Sequence, residues 1–141
     1  VVMLDDDVHL NILFPDRDVP ELESNTASVI AQLVYGETEF MLTGDSPKVI
    51  ENYLVMLDGE DLESDVLKAG HHGSKTSSSE AFVGFVQPKY SVISAGKDNK
   101  YGHPHEDVID VLNQFGSAIL STGDKGLIVF ESDGENVLIV P

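Results

Sequence analysis

The spacing of apolar residues along this chain switches repeatedly between a strand period and a helix period. Val1–Leu4 reads as part of a strand, and Val8–Phe14 is a short apolar run closed by Pro15, which predicts another. Asp16–Ser24 is acidic, lacks period and reads as a loop. Ser28–Tyr35 and Phe40–Thr43 are strand runs, joined through Gly36-Glu37-Thr38-Glu39 as a hairpin-length turn. Val49, Ile50, Tyr53, Leu54 and Leu57 fall on one face of a helix over Pro47–Leu57, with Ser46-Pro47 as cap and first-turn residue. Asp65–Ala69 predicts a strand. Ser79–Val86 predicts a short helix with Phe82, Phe85 and Val86 inward, stopped by Pro88. Tyr90–Ser94 is a strand, and Pro104–Phe115 is a helix with Val108, Val111, Leu112 and Phe115 on its apolar stripe. Ala118–Ser121, Leu127–Phe130 and Val137–Val140 are closing strands, with turns at Gly126 and Asp133-Gly134.

From Phe40 to Ser121 strands and helices alternate without a break. That order predicts a layered α/β fold, with helices packed on a mixed sheet. Polar clusters follow three of the strands: Thr43-Gly44-Asp45, Gly70-His71-His72-Gly73-Ser74, and Ser94-Ala95-Gly96 leading to Tyr101-Gly102-His103-Pro104. Loops at the carboxyl ends of strands are where α/β folds assemble sites, so the clusters are expected to converge on one edge of the sheet.

A length of 141 residues fits one domain, and 41% hydrophobic with 23% charged residues is globular composition. No apolar run reaches the roughly 18 residues needed to cross a bilayer. No internal repeat, low-complexity stretch or linker interrupts the chain. The net charge of -17 argues against a broad basic groove for nucleic acid, and mainly favours solubility. There are no cysteines, which removes disulfides, thiolate metal sites and a cysteine nucleophile.

The candidate chemistry therefore rests on carboxylate and imidazole. Asp45 taken alone reads first as a helix cap or turn residue before Pro47, and its functional reading is a carboxylate ligand able to bridge two cations. His71-His72 directly after an apolar strand is an odd choice for a plain turn. Adjacent residues point in different directions, so one imidazole can hold a metal while the other serves the substrate. His103 lies between Gly102 and Pro104, and alone reads as a loop histidine. Ser77-Ser78-Ser79 reads as solvated loop and helix cap, and His9 and His105 as structural. No Gly-x-Ser-x-Gly, P-loop or Gly-x-Gly-x-x-Gly pattern is present.

Taken in order, the blocks Asn25-Thr26-Ala27-Ser28, Met41-Leu42-Thr43-Gly44-Asp45, Asp65 to Ser74, Ser77-Ser78-Ser79, Val92 to Gly96 and Asn99 to Pro104 closely resemble the metallo-β-lactamase-fold hydrolase domain of the ComEC/Rec2 type. That domain ends the bacterial DNA-uptake channel protein and also occurs in free-standing soluble relatives. The resemblance runs from about residue 8 to the end of the chain.

It implies an αββα sandwich of which residues 1–141 form a single partial domain, the second half. Asp45 would be the carboxylate shared by two divalent ions, Zn²⁺ or Mn²⁺, and His72 a ligand of the second. His71 would face the substrate and His103 would hold or protonate its phosphate. Asn25, where many relatives carry histidine, would be a weak ligand or substrate contact, as would Ser74. The superfamily's first-half His-x-His-x-Asp-His motif is absent: the histidines are 9, 71, 72, 103 and 105. An upstream half of the same domain, following membrane segments in the channel-type proteins, is the expected partner, and the isolated chain is expected to self-associate through an uncovered apolar sheet face. The implied function is hydrolysis of a phosphodiester, DNA included, by metal-activated hydroxide in a protein of bacterial competence. The alternative is a degenerate, non-catalytic half-domain acting as an interaction module.

Overall fold

A computed structural model describes residues 1–140. Strands β1 (Val2–Asp5), β2 (Val8–Phe14), β3 (Ile30–Tyr35), β4 (Thr38–Leu42), β5 (Val66–Lys68), β6 (Tyr90–Ile93) and β7 (Ala118–Ser121) form one sheet in that spatial order. The first four are antiparallel neighbours, and β4 through β7 run parallel. The change from hairpins to crossovers follows directly from connection length. Gly36-Glu37 closes β3 onto β4 in two residues, with Gly36 at φ 58°, shorter than the four-residue turn the pattern suggests. Each later strand is reached through a helix: α1 (Lys48–Leu57), α2 (Glu80–Val86) and α3 (Glu106–Gln114). The fold is thus the layered α/β arrangement expected, a seven-stranded mixed sheet with flanking helices.

One face of the sheet, carrying Ile30, Met41, Leu67 and Ile93, packs against Ile50, Leu54, Phe82, Val83, Val86, Val108 and Leu112 of the helices. Packing rotates two predicted stripes. In α1 the buried positions are Ile50, Glu51 and Leu54, while Val49 and Leu57 face outward. In α2 Val83 replaces Phe85 as an inward residue, and in α3 Phe115 is the outward end of the stripe. The α1 N-cap is Pro47 and has no side-chain hydrogen bond, so Ser46 does not cap the helix. Ser79 does cap α2, accepting from the Phe82 amide.

The opposite face carries Leu33, Phe40, Val66 and Tyr90, which alternate with the helix-facing row. A separate hairpin of β8 (Val129–Ser132) and β9 (Val137–Val140) lies on it. Phe130 meets Phe40 at 6.2 Å and Tyr90 at 5.6 Å between ring centroids, and Ser132 Oγ is 2.7 Å from Thr38 Oγ1. This face is therefore partly covered rather than bare, with Ile12 and Leu42 left exposed beyond the hairpin. Two short elements escaped the sequence pattern: a 3₁₀ turn at Gly59–Leu62 and a one-turn helix α4 (Thr122–Lys125). Among the described residues, no helix is long and apolar enough to cross a membrane.

Candidate functional site

Because β4, β5 and β6 are parallel, their carboxyl ends share one edge, and the three polar clusters meet there. Asp45, His71, His72, Ser94, Asn99, Tyr101 and His103 line an open cavity of about 430 Å³. A larger surface hollow of about 1020 Å³ between α2 and α3, near Asn52, Glu80 and Phe115, contains no histidine.

The loop after β5 is held in a strained conformation. His71 and His72 sit consecutively in the left-handed region, at φ 47° and 57°. A non-glycine residue pays about 1–3 kcal/mol for such a backbone, and it persists only where surrounding contacts enforce it. Those contacts are visible. The His71 amide donates to the Gly44 carbonyl at 3.0 Å, and the His105 amide donates to the Gly73 carbonyl at 2.9 Å. A Cβ at Gly70 would come within 2.8 Å of Ser77 Cβ, and one at Gly73 within 2.7 Å of Pro104 Cβ. Both glycines are needed for the loop to dock this closely on its neighbours.

The docking aims the side chains. His72 Nδ1 lies 2.6 Å from the Ser94 carbonyl oxygen, which can only accept, so Nδ1 carries the proton. The other ring nitrogen, Nε2, then faces Asp45 Oδ1 at 3.6 Å. A ring nitrogen and a carboxylate oxygen converge on one point, and the imidazole is oriented from behind by a carbonyl. Both side chains are partly exposed, so the pair contributes little as an ion pair to stability. It fits a cation with nitrogen and oxygen preference, within the roughly 5 Å separation that sharing one ion requires. The fit is partial: among the described residues no three His, Asp or Glu side chains gather in a metal-binding arrangement.

His71 and His103 flank this pair, with ring centroids 5.9 Å apart. Burial, followed by the neighbouring His105, His71 and His72, lowers the His103 pKa and keeps its imidazole neutral at pH 7. His105, read from sequence as structural, lies 5.0 Å from His103 by ring centroid and accepts from the Lys75 amide through Nδ1. Asn25 stands outside the cavity wall. Its carbonyl accepts from the Ser28 amide, and Ser28 Oγ in turn accepts from the Asp45 amide at 3.3 Å. Ser74 is likewise outside the wall, buried with its Oγ 3.0 Å from Thr76 Oγ1.

Sequence reasoning missed Glu51. This carboxylate is 0% exposed and accepts from the Ser78 and Ser79 amides at 2.7 Å each. Ser77, Ser78 and Ser79 are accordingly buried, not solvated as the pattern suggests. A signal existed, since Glu51 stands between Ile50 and Leu54 on what is otherwise an apolar face. Asn99 was also passed over. Its side-chain amide donates to the Gly96 and His103 carbonyls, and its Oδ1 accepts from the His103 amide, which closes the loop that presents His103.

An α/β chain with a carboxylate–imidazole site on the carboxyl edge of parallel strands is the class that fold and site define. No family model matches it. It is 38% identical over 88% of its length to ComE operon protein 3 of Bacillus subtilis, and 38% identical over 77% to Competence protein ComA of Neisseria gonorrhoeae. It is 34% identical over 86% of its length to Recombination protein 2 of Haemophilus influenzae. The chain belongs to the ComEC/Rec2 family, and it spans 15–16% of the length of these relatives.

Proposed function

We propose that this chain forms part of the active site of a metal-dependent phosphodiester hydrolase, in a competence protein linked to DNA uptake. The carrying observation is the His72–Asp45 pair: Nε2 and Oδ1 3.6 Å apart, with Nδ1 committed to the Ser94 carbonyl. The name of one relative, Competence protein ComA, supports the biological setting. Among the described residues two side chains, Asp45 and His72, converge on the cation site, and in this reading the remaining ligands come from another part of the domain.

Asp45 and His72 would hold one or two divalent ions, Zn²⁺ or Mn²⁺. When bound, such ions lower the pKa of water and neutralise charge on a phosphoryl oxygen. The chain's own residues do the rest. The His103 and His71 rings hold the phosphate through N–H groups, and the imidazolium form of His103 gives its extra proton to the departing oxygen and returns to the neutral imidazole that its surroundings favour. Asn99 fixes the His103 backbone, and the Ser94 carbonyl fixes the His72 tautomer.

The test uses the full-length protein, with hydrolysis of bis-p-nitrophenyl phosphate and bound metal measured in parallel. Asp45→Ala is expected to abolish activity and metal retention, and His72→Ala to do nearly as much. His71→Ala and His103→Ala are expected to lower turnover about 10²–10⁴-fold, the usual contribution of acid–base catalysis, with metal content close to wild type. If Asp45→Ala keeps both metal and activity, the hydrolase reading fails. A folded full-length protein with neither metal nor activity would leave the interaction-module reading in its place.

A further inference from the structure

Tyr101 is a large aromatic ring left 65% exposed at the mouth of the Asp45–His72 cavity. It makes no hydrogen bond through its hydroxyl among the described residues. One neighbour organises it: the His103 ring lies 5.7 Å away at an interplanar angle of 25°, an offset stack. Lys100 Nζ lies 5.0 Å from the Tyr101 ring centroid. The Tyr101 amide donates to Asn99 Oδ1, the same oxygen that receives the His103 amide, so ring and imidazole are set by one side chain. The result is an aromatic step beginning at His103 inside the cavity and ending in solvent beside a lysine.

Charge around the step differs from that of the rest of the molecule. Of eight basic residues, Lys68 ends β5, Lys75, Lys97 and Lys100 stand on the loops after β5 and β6, Lys48 opens α1 and Lys125 closes α4. None of them makes an ion pair among the described residues, whereas Arg17 pairs with Asp16 and Lys89 with Asp65. On the loop from Ser94 to His105, which carries Tyr101, Lys97 and Lys100 stand with a single carboxylate, Asp98. That loop carries a small positive balance in a chain of net charge -17. A polyanion repelled elsewhere on the surface meets no such barrier here.

The geometry points to a nucleobase-stacking subsite at Tyr101, occupied by the base next to the phosphodiester held in the cavity. The ligand is a single-stranded nucleic acid rather than a small phosphodiester. The inference rests on the phosphodiester reading above for what lies at the cavity centre. Stacking on an exposed ring is sequence-tolerant because every base has a π face. Lys100, adjacent to the ring, contacts the backbone phosphate of the stacked nucleotide, an exchange that releases a counterion and weakens with salt.

Binding is read in the full-length protein without added metal and without turnover, by fluorescence anisotropy of end-labelled hexamers at fixed ionic strength. One hexamer is oligothymidylate; the other has the same phosphates with abasic tetrahydrofuran in place of every base. Wild type is expected to prefer the thymidylate hexamer. Tyr101→Ala is expected to weaken thymidylate binding about tenfold, the scale of one base–aromatic stack, and to leave the abasic hexamer unchanged. Tyr101→Phe, which keeps the ring, is expected to bind both as wild type does. The inference is overturned if wild type does not distinguish the hexamers, if Tyr101→Ala keeps the preference, or if it loses both ligands equally. Because no hydrolysis is measured, failure here leaves the metal-content and activity assays of Asp45 variants standing. Failure of those assays with the stacking preference intact would remove the hydrolase reading instead.

Discussion

Glu51 shows how a single buried charge shapes a site it does not enter. Its carboxylate caps the two amides that turn the chain from the histidine loop into α2. Burial is the largest influence on it and raises its pKa, outweighing the two backbone hydrogen bonds that act in the opposite direction. Folded protein thus binds this proton more tightly than unfolded protein. As pH rises from the ordinary carboxylate range through the raised folded value, the unfolded state ionises first and stability falls. Glu51→Gln is expected to flatten that part of the stability–pH curve relative to wild type, measured by denaturant titration at a series of pH values. Glu51→Ala at neutral pH is expected to cost about 3 kcal/mol, because two buried amides lose their acceptor and a cavity opens. Equal pH slopes in wild type and Glu51→Gln would show that this carboxylate does not titrate differently on folding.

At the level of elements, the site depends on three loops locked together rather than on any one strand. The loop after β5 is bonded to Gly44 on one side and to His105 on the other. Gly73 is the tightest point, at φ 80° and facing Pro104. Gly73→Ala adds a methyl group where 2.7 Å is available and forces alanine into the left-handed region. A loss of about 2–4 kcal/mol is expected from the two effects together. The change should also separate His103 from His71, so the His103 pKa, followed by proton NMR, should move up towards the ordinary imidazole value. A His103 titration identical to wild type would mean that the two loops are held independently. The strands themselves were readable because their apolar runs are short and closed by Pro or Gly. Their ends were less so: α3 begins at Glu106 rather than Pro104, since the segment before it is committed to the Asn99 and Gly73 hydrogen bonds.

Across the whole molecule, the helices cover one sheet face over β3 to β6 and the β8–β9 hairpin covers part of the other. Phe130 is the contact that fastens the hairpin, with Phe40 and Tyr90 beneath it. Phe130→Ala is expected to cost about 2 kcal/mol, less than the roughly 3–5 kcal/mol of a fully buried phenylalanine. It should also raise binding of an apolar dye, because the sheet beneath becomes accessible. An unchanged unfolding midpoint would show that the hairpin is held by its backbone contacts alone, such as the Glu37 amide to the Gly134 carbonyl.

Local pattern was enough to place the alternating strands and helices, because period and turn chemistry act over a few residues. It also singled out Asp45, His71, His72 and His103, because parallel strands joined by helices must bring their carboxyl ends to one edge. Three-dimensional packing settled what no local window contains. Which imidazole nitrogen faces Asp45 depends on the Ser94 carbonyl, 22 residues away from His72. The burial of Glu51 and the serine triplet depends on α1 meeting the start of α2, 27 residues apart in the chain. That the Asn25 carbonyl receives the Ser28 amide, and that Ser74 Oγ lies beside Thr76 Oγ1, are likewise features of the docked loops. Hydrogen-bond partners and burial are set by contacts distant in sequence, so those roles emerged only when the loops were docked.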